Sequence, residues 1–262
     1  MKSVLTIAGS DSSGGAGIQA DIKTICCNKV YATSAITSLT AQNTVKVEDI
    51  FDVPPDFLKK QIKCVAEDIF PDAVKIGMLS NEELVKVVAS SIKEFNFKNV
   101  VLDPVMISTS GKKLLKDEAV FSLKEELFPL ATLITPNLAE TSFLVDEKID
   151  SKEKMQDAAE KLAKTYKTNF LIKGGHLQNE SSDFLYIYEN PEKSEWFSSV
   201  KIETENTHGT GCTLSSAIAA NLAKGFSLNE SVKNAKEYLT VALLQKLNIG
   251  KGNGPLMHFS IR

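Results

Sequence analysis

Short apolar runs alternate with longer amphipathic stretches along most of the chain. Each run is short enough and apolar enough to be a strand buried on both faces of a sheet. The runs are residues 4–8, 35–39, 73–76, 100–102, 132–134 and 170–172. Strands that alternate with helices predict a largely parallel sheet, joined by right-handed crossovers and covered by helices on both faces. The pattern therefore predicts the α/β fold class.

The stretches between these runs place apolar residues at helical spacing, which predicts helices with one face in the core. Residues 16–28 predict the helix that follows the first strand. Residues 212–223 and 228–247 predict two final helices, the second with Ser227 as its N-cap and Glu230 completing a capping box. Three further stripes are expected to be core faces: Phe57, Ile62, Val65 and Ile69; Leu84, Val87, Val88 and Ile92; Met155, Ala158, Ala159 and Leu162.

The segment after residue 180 departs from this alternation. Residues 184–188 and 195–197 are separated by the turn signal Asn190-Pro191, so they predict an antiparallel β-hairpin at the edge of the sheet. The sequence contains no linker, low-complexity tract or internal repeat. We therefore predict one domain that covers residues 1–262.

Composition and charge argue against several classes of protein. The 262 residues carry 30 Lys and Arg against 33 Asp and Glu, with no long basic block, so nucleic acid is not expected as a partner. The first apolar run is too short for a membrane span or a signal peptide, which predicts a cytoplasmic protein with no membrane partner. Neither a disulfide framework nor a zinc site is signalled. Cys26, Cys27 and Cys64 fall in helical patterns and are expected to pack in the core.

Residues 206–212 (NTHGTGC) stand before an alanine-rich helix. Gly209 and Gly211 leave the backbone open there, so N–H groups and a helix N-terminus converge on one point, an arrangement that binds anions. The same helix end is expected to lower the pKa of Cys212 below its free value of about 8.5, which makes the thiolate available as a base or nucleophile. The alternative is a glycine turn followed by a buried, inert cysteine.

Charged residues at other strand ends predict a metal and phosphate site, because open α/β sheets bind ligands at that edge. Asp103 and Glu140 could converge there, and such a pair suits Mg²⁺ held through water. The alternative has Asp103 capping a turn and Glu140 solvated on a helix. Lys173 ends a strand beside two glycines, which favours contact with a phosphate.

Four residues suit a small heterocyclic ligand. Gln42 and Asp21 offer an amide and a carboxylate for hydrogen bonds, and Met78 and Val105 offer apolar surface for a ring. Taken singly, each has a more ordinary interpretation as a turn amide, a helix-surface acid or a core side chain.

A glycine-rich loop follows the first strand. Gly15, Gly17 and Ala20 fit the dinucleotide pattern, but the acidic residue expected at the end of the second strand is absent, and no Walker A sequence occurs. A nicotinamide-dependent oxidoreductase therefore rests on one weak pattern.

Taken in order, the motifs resemble those of a known superfamily. They are AGSD at residues 8–11, GGAGIQAD at 14–21, AQNT at 41–44, KIGML at 75–79, DPVM at 103–106, TPNLAE at 135–140, KGGH at 173–176, NTHGTGCT at 206–213 and GKGNGP at 250–255. Over nearly its whole length the chain resembles the ribokinase-like superfamily and, within it, the hydroxymethylpyrimidine/phosphomethylpyrimidine kinases of thiamine biosynthesis. The resemblance implies a three-layer α/β/α fold, ATP as co-substrate, Mg²⁺ and a homodimer. It also implies two transfers, first to 4-amino-5-hydroxymethyl-2-methylpyrimidine and then to its monophosphate.

The resemblance also implies a role for each matching residue. Gly209, Thr210 and Gly211 would form the anion hole, and Cys212 would be the catalytic base. The remaining expectations are Gly9, Asp21, Gln42, Met78 and Val105 for the pyrimidine, Asn137, Lys173 and Thr207 for ATP and its phosphates, and Asp103 and Glu140 for Mg²⁺ through water. We further hypothesise that the loop of residues 10–17 holds the monophosphate.

Three competing functions stay open at this point. A pyridoxal kinase would share the fold and the Cys212 chemistry, although residues 41–44 resemble the pyrimidine enzymes. A nicotinamide-dependent oxidoreductase is the second. The third is a non-catalytic binding protein, which would leave the base, the anion hole and the acidic pair without a purpose.

Overall fold

Nine strands and eight α-helices make up the part of the chain described by the computed structural model, which is residues 1–106, 117–175 and 180–259. The strands are β1 (Ser3–Asp11), β2 (Tyr31–Gln42), β3 (Val47–Asp52), β4 (Ala73–Ile76), β5 (Val100–Leu102), β6 (Leu133–Ile134), β7 (Asn169–Gly174), β8 (Glu180–Tyr186) and β9 (Glu195–Val200). The helices are α1 (Gly17–Cys27), α2 (Pro55–Asp68), α3 (Glu82–Phe95), α4 (Asp117–Ser122), α5 (Leu138–Val145), α6 (Lys152–Tyr166), α7 (Thr210–Ala223) and α8 (Leu228–Leu244). A π-helical turn (Leu123–Leu127) and two 3-10 turns (Phe128–Leu130 and Pro191–Lys193) complete the set.

The nine strands form one sheet in the order β3-β2-β1-β4-β5-β6-β7-β8-β9. The six central strands, which are β2, β1, β4, β5, β6 and β7, run parallel. At the two ends of the sheet, β3, β8 and β9 pair antiparallel. In this register Thr6 of β1 lies opposite Lys75 of β4. The predicted α/β class, the mostly parallel sheet and the edge hairpin formed by β8 and β9 are confirmed.

Helices cover both faces of the sheet. On one face, α1, α7 and α8 enclose a core that contains Ile25, Ile218 and Val232. On the other, α2, α3 and α6 enclose a core that contains Ile62 and Val88. The molecule is therefore the expected three-layer α/β/α structure. No helix in the described ranges is long and apolar enough to span a bilayer.

The sequence predicted the positions of the helices better than it predicted which of their faces are buried. In α2 the buried side chains are Leu58, Ile62 and Ala66, whereas Phe57 is 57% exposed and Ile69 is 38% exposed. Ile69 lies past the last residue of the helix, so its place in the expected stripe was wrong. The capping box at the start of α8 is confirmed, although that helix ends at Leu244 rather than at residue 247.

The packing role expected for three cysteines is wrong. Cys26, Cys27 and Cys64 are exposed, and only Cys212 is partly buried. The first two lie in the last turn of α1, beyond the part of that helix that α7 covers, as the burial of Asp21, Thr24 and Ile25 indicates. Small size and low polarity favour burial of cysteine but do not enforce it.

Candidate active site

The carboxyl ends of the parallel strands meet the start of α7 at one edge of the sheet. A Cβ atom built on Gly211, in the first turn of α7, would lie 3.1 Å from Asp103 Oδ2 and 3.3 Å from Lys173 Nζ. Asp103 follows β5 and Lys173 lies on β7, so three segments distant in sequence converge on one point. A side chain at position 211 would displace both charged groups, which explains why a glycine stands there.

Asp103 and Lys173 form a buried ion pair at this edge. Lys173 Nζ lies 2.8 Å from Asp103 Oδ1, and the two side chains are 15% and 3% exposed. Thr135 Oγ1 donates a longer hydrogen bond, 3.3 Å, to the same oxygen. Burial lowers the pKa of Lys173, but Asp103 and Glu140 raise it by more. The ammonium is thus charged at neutral pH and placed beside the helix end, where it suits an anionic ligand.

Glu140 is buried at the start of α5, so the alternative of a solvated helix-surface acid is wrong. Asn137 Oδ1 accepts a hydrogen bond of 2.9 Å from the Glu140 N–H, and Glu140 Oε2 accepts one of 2.8 Å from the Asn137 N–H. This capping box fixes both side chains. The pKa of Glu140 is raised to about 7, chiefly by burial and to a smaller extent by Asp103, although Lys173 lowers it.

Asp103 and Glu140 fit a magnesium ion that is held largely by other ligands. The two buried carboxyl groups share one ammonium, that of Lys173, so the site carries surplus negative charge when both are ionised. Within the described ranges no cluster of three or more His, Cys, Asp or Glu residues could hold a metal. Magnesium prefers oxygen ligands and keeps several waters. The pair therefore suits Mg²⁺ bound through water and a ligand phosphate.

The start of α7 offers an open set of backbone donors. Gly209, the N-cap, adopts a left-handed φ of 88°, and a Cβ atom on it would collide with the carbonyl oxygen of Gly15. The first N–H groups of a helix have no acceptor within it. In the described part of the chain, no acceptor outside the helix contacts the N–H groups of Gly211 and Cys212. They can therefore bind an anion, as predicted.

The expected lowering of the pKa of Cys212 is not found. The pKa of this thiol is raised to about 11, chiefly by burial and to a smaller extent by Asp21 and Asp103. Lys75 and the backbone N–H of Gly17 act in the opposite direction but do not cancel it. Desolvation thus outweighs the helix end, and the thiol is protonated at neutral pH.

Much of the loop of residues 10–17 already donates hydrogen bonds within the chain, which weighs against the hypothesis that it holds a monophosphate. The Asp11 carboxylate already accepts hydrogen bonds from the N–H groups of Ser13, Gly15 and Ala16, at 2.8, 3.1 and 2.8 Å. His208 Nε2 lies 2.8 Å from the same carboxylate. The chain thus fills this helix N-terminus with its own anion, which also removes the basis of the dinucleotide pattern.

Gln42, Met78 and Gly9 lie around the same strand edge. A Cβ atom built on Gly9 would lie 3.0 Å from Met78 Cε, so the thioether covers the C-terminal part of β1. Gln42 Nε2 lies 3.3 Å from His208 Nε2, which ties the end of β2 to the segment before α7. Val105 is partly buried in the turn after β5, where its N–H donates to the Asp103 carbonyl oxygen at 2.8 Å.

Asp21 has a different place from the one predicted. It is fully buried, and its two oxygens accept hydrogen bonds from Thr6, Ser216 and Lys75 at 2.6 to 2.9 Å. Four bonds occupy the acceptor positions of a carboxylate. A direct contact between Asp21 and a pyrimidine stays a prediction, and these bonds weigh against it.

Thr207 is exposed, one residue before His208, and its carbonyl oxygen accepts a 2.7 Å hydrogen bond from Thr210 Oγ1. Sequence reasoning gave no signal for the two contacts by which the His208 side chain joins Asp11 and Gln42. It also missed that the segment of residues 248–255 packs against two of these motifs: the His208 N–H donates to the Gly254 carbonyl oxygen, and the Lys251 N–H donates to Thr44 Oγ1. The motif GKGNGP was the only signal. His176, part of the KGGH motif, lies outside the described residues.

Comparisons with known proteins give a family match and relatives of similar length. The family model described as phosphomethylpyrimidine kinase matches residues 11–257. The chain is 44% identical over 262 residues to the hydroxymethylpyrimidine/phosphomethylpyrimidine kinase of Haemophilus influenzae, and the alignment covers 99% of this chain and 97% of that protein.

Two further similar proteins differ in how much of their own length this chain covers. The thiamine biosynthesis bifunctional protein ThiED of Geobacter sulfurreducens is 46% identical over 257 residues, which are 98% of this chain but 52% of that protein, so the chain spans about half of its length. Among solved structures, an ADP complex of Bacillus subtilis pyridoxal kinase is similar with a TM-score of 0.89 and 38% identity, covering 98% of this chain and 97% of that one.

Proposed function

Because the chain belongs to the phosphomethylpyrimidine kinase family, we propose that it transfers the γ-phosphoryl group of ATP to hydroxymethylpyrimidine and then to the resulting monophosphate. One observation carries the assignment to a site. Asp103 and Lys173 lie 2.8 Å apart at one strand edge, and both lie within 3.3 Å of a Cβ atom built on Gly211 in the first turn of α7. Phosphoryl transfer depends on positioning and on stabilising spread negative charge, and these groups supply both.

In the proposed reaction each of these groups has a separate task. The thiolate form of Cys212, a minor form at neutral pH, accepts the proton of the hydroxymethyl oxygen, which bonds to the γ-phosphorus as the bond from that phosphorus to ADP breaks. The N–H groups of Gly209 and Gly211 stabilise the charge on the moving group, together with the open N–H of Cys212. The N–H of Thr210 donates to the Thr207 carbonyl oxygen at 3.3 Å and would have to exchange that bond for one to the phosphoryl group. Asp103 and Glu140 would hold Mg²⁺ through water, and the charge of the bound ion would offset that of the ATP phosphates.

The nucleotide and the acceptor have their own proposed contacts. Lys173, Asn137 and Thr207 bind ATP, and the charge of Lys173 supports this assignment. Gly9, Met78 and Val105 pack against the pyrimidine, whose ring nitrogen and amino group match the donor and acceptor of the Gln42 amide.

Pyridoxal phosphorylation is the second candidate, favoured by the similarity to a pyridoxal kinase structure. Initial rates of ADP release, measured with hydroxymethylpyrimidine and with pyridoxal at matched concentrations, separate the two. We expect kcat/KM for the pyrimidine to exceed that for pyridoxal by at least about tenfold, since a site built to bond an amino group discriminates against a ring that lacks it. A higher value for pyridoxal would establish the second candidate instead.

Assembly and organisation complete the proposal. We infer one domain, because the described strands all belong to one sheet. We also propose a homodimer, as the family resemblance implies. Apolar side chains at the β2–β3 end of the sheet support it, since Leu39 is 47% exposed and Phe51 is 65% exposed. Sedimentation analysis that finds only monomers would contradict this part. The cytoplasmic location stays a prediction.

A further inference from the structure

Lys75 is a buried cation that no step above uses. It lies on β4, its side chain is fully buried, and its ammonium contacts both oxygens of Asp21 at 2.8 and 2.9 Å. Thr6 and Ser216 donate the other hydrogen bonds to that carboxylate, at 2.6 and 2.7 Å. Burying a charge is costly unless it is paired. A buried charge beneath the proposed active site therefore suggests a functional role.

The buried cluster of Lys75, Asp21, Thr6 and Ser216 lies one helical turn from the site along two helices, α1 and α7. Cys212 and Ser216 are four residues apart on α7, and Gly17 and Asp21 are four residues apart on α1. Residues at that spacing stack on one face of a helix, about 6 Å apart. The Gly17 N–H contacts the Cys212 thiol, so the two helices touch both at the site and at the cluster.

The same cluster reaches the strand edge from below. A Cβ atom on Gly77, directly after β4, would lie 2.9 Å from Lys75 Nζ and 3.0 Å from Ala8 Cβ. Ala8 precedes Gly9 and Gly77 precedes Met78 in the chain. The ammonium therefore lies immediately beneath the turns that line the proposed acceptor site.

Cys212 faces charges from several elements. Lys75 comes from β4, Asp21 from α1, Asp103 from the end of β5 and Lys173 from β7. Lys75 lowers the pKa of the thiol, whereas Asp21 and Asp103 raise it. Burial lowers the pKa of Lys75, but Asp21 and Cys212 raise it overall, so this side chain stays charged at neutral pH.

We propose that Lys75 is a positioning residue of the transfer reaction, whose buried ammonium stabilises the thiolate form of Cys212, the form that can take the acceptor's proton. The inference rests on the proposed role of Cys212. The proton moves from the hydroxymethyl oxygen to the sulfur, which becomes a neutral thiol, and the positive charge beneath offsets the cost of holding the thiolate in a buried site before the transfer. Asp21 holds the ammonium in place and limits how far it favours the thiolate.

The test measures the acidity of Cys212 directly. Cys26, Cys27 and Cys64 are replaced by serine, which leaves Cys212 as the only one of the four cysteines. The rate of alkylation by iodoacetamide is then followed against pH, since the thiolate is the reactive form. This readout requires neither ATP nor a pyrimidine.

Two variants shift the pKa of the Cys212 thiol in opposite directions. Lys75→Met combined with Asp21→Asn removes both charges. Because Lys75 influences the pKa of Cys212 more strongly than Asp21 does, this pKa rises. A rise of one unit makes alkylation at pH 9 about tenfold slower. Asp21→Asn alone leaves the ammonium unopposed, so alkylation becomes faster. A purely structural cluster predicts no such opposition, because both variants loosen the same contacts.

The buried pair of Lys236 and Asp183, whose atoms lie 2.6 Å apart, provides a matched control. Lys236→Met with Asp183→Asn disturbs a similar ion pair, and we expect the alkylation rate of Cys212 to stay unchanged. In the chain with all four cysteines, we expect the Lys75→Met and Asp21→Asn double variant to lower kcat by a larger factor than it changes KM for ATP.

Equal alkylation rates in the Asp21→Asn variant and the parent would overturn the proposal even if the double variant fails to fold. The proposed function fails separately, when the unsubstituted chain transfers no phosphoryl group to a pyrimidine or to pyridoxal.

Discussion

Buried acids in this protein are satisfied in two different ways. Asp11 accepts hydrogen bonds from three backbone N–H groups, whereas Asp103 and Glu140 compete for Lys173. The first arrangement stabilises the folded chain, and the second leaves charge for a ligand to neutralise. The residue types alone predicted neither outcome, because an aspartate after a strand suits both.

Asp11 makes stability depend on pH. Burial alone would raise its pKa, but hydrogen bonds from His208, Ser13 and Ala16 lower it to about 2. An acid with a lowered pKa stabilises the folded state above its unfolded pKa and loses that contribution as the pH falls through the folded value. Asp11→Asn therefore costs about 2 kcal/mol at pH 7, measured by urea unfolding.

The cost of Asp11→Asn shrinks between about pH 4 and pH 2, where the parent loses the same contribution. Asp157→Asn, an exposed change on α6, is the control and stays within about 0.5 kcal/mol of the parent. A penalty for Asp11→Asn that does not vary with pH would contradict the hydrogen-bond account.

In the proposed mechanism, Cys212 is the residue on which we expect turnover to depend most. Removing a positioned general base costs about 10²–10⁴ in rate, so Cys212→Ala lowers kcat by that factor. The change in melting temperature is small by comparison, because the side chain is only partly buried and small. Cys64→Ala, at an exposed position, leaves both quantities unchanged. Full turnover of Cys212→Ala would remove the thiol from the mechanism.

At the scale of elements, the sequence predicted buried strands and helix starts well and exposed edges poorly. The strand at residues 73–76 matches β4 at both ends, and the capping box of α8 lies where Ser227 and Glu230 predicted it. β3 was missed because it is an edge strand with no fully buried residue, so it has no apolar run. Capping depends on local residues alone, whereas an edge strand depends on a partner elsewhere in the chain.

The contact between the loop after β1 and the start of α7 is the junction most sensitive to substitution. Gly209→Ala places a methyl group against the Gly15 carbonyl at a positive φ, so we expect it to destabilise the fold by more than about 3 kcal/mol and to abolish transfer.

Gly225→Ala separates the two effects, because Gly225 has a φ of +91° with nothing within 4 Å of a built Cβ atom. It costs only the left-handed strain of about 1 kcal/mol and leaves turnover intact. Equal losses of stability in the two variants, measured by urea unfolding, would show that steric contact with Gly15 is unimportant.

At the scale of the whole molecule, periodicity predicted the α/β class but not the order of the strands. The order decides which strand ends are neighbours, and the register that brings Thr6 opposite Lys75 is what assembles the buried cluster with Asp21. Asp21 could not be separated from an ordinary helix acid by sequence physics, since its partners come from three other elements. The motif order, through the family resemblance, identified the site residues that physics alone left open.

Phosphorus NMR of the purified chain with Mg-ATP and hydroxymethylpyrimidine tests the central claim most directly. The account predicts a monophosphate signal that rises first and then falls as a diphosphate signal appears, with ADP formed in step with both. A parallel sample with pyridoxal gives at most a slow monophosphate signal. Phosphate on pyridoxal alone, or ATP left intact beside the pyrimidine, would contradict the account.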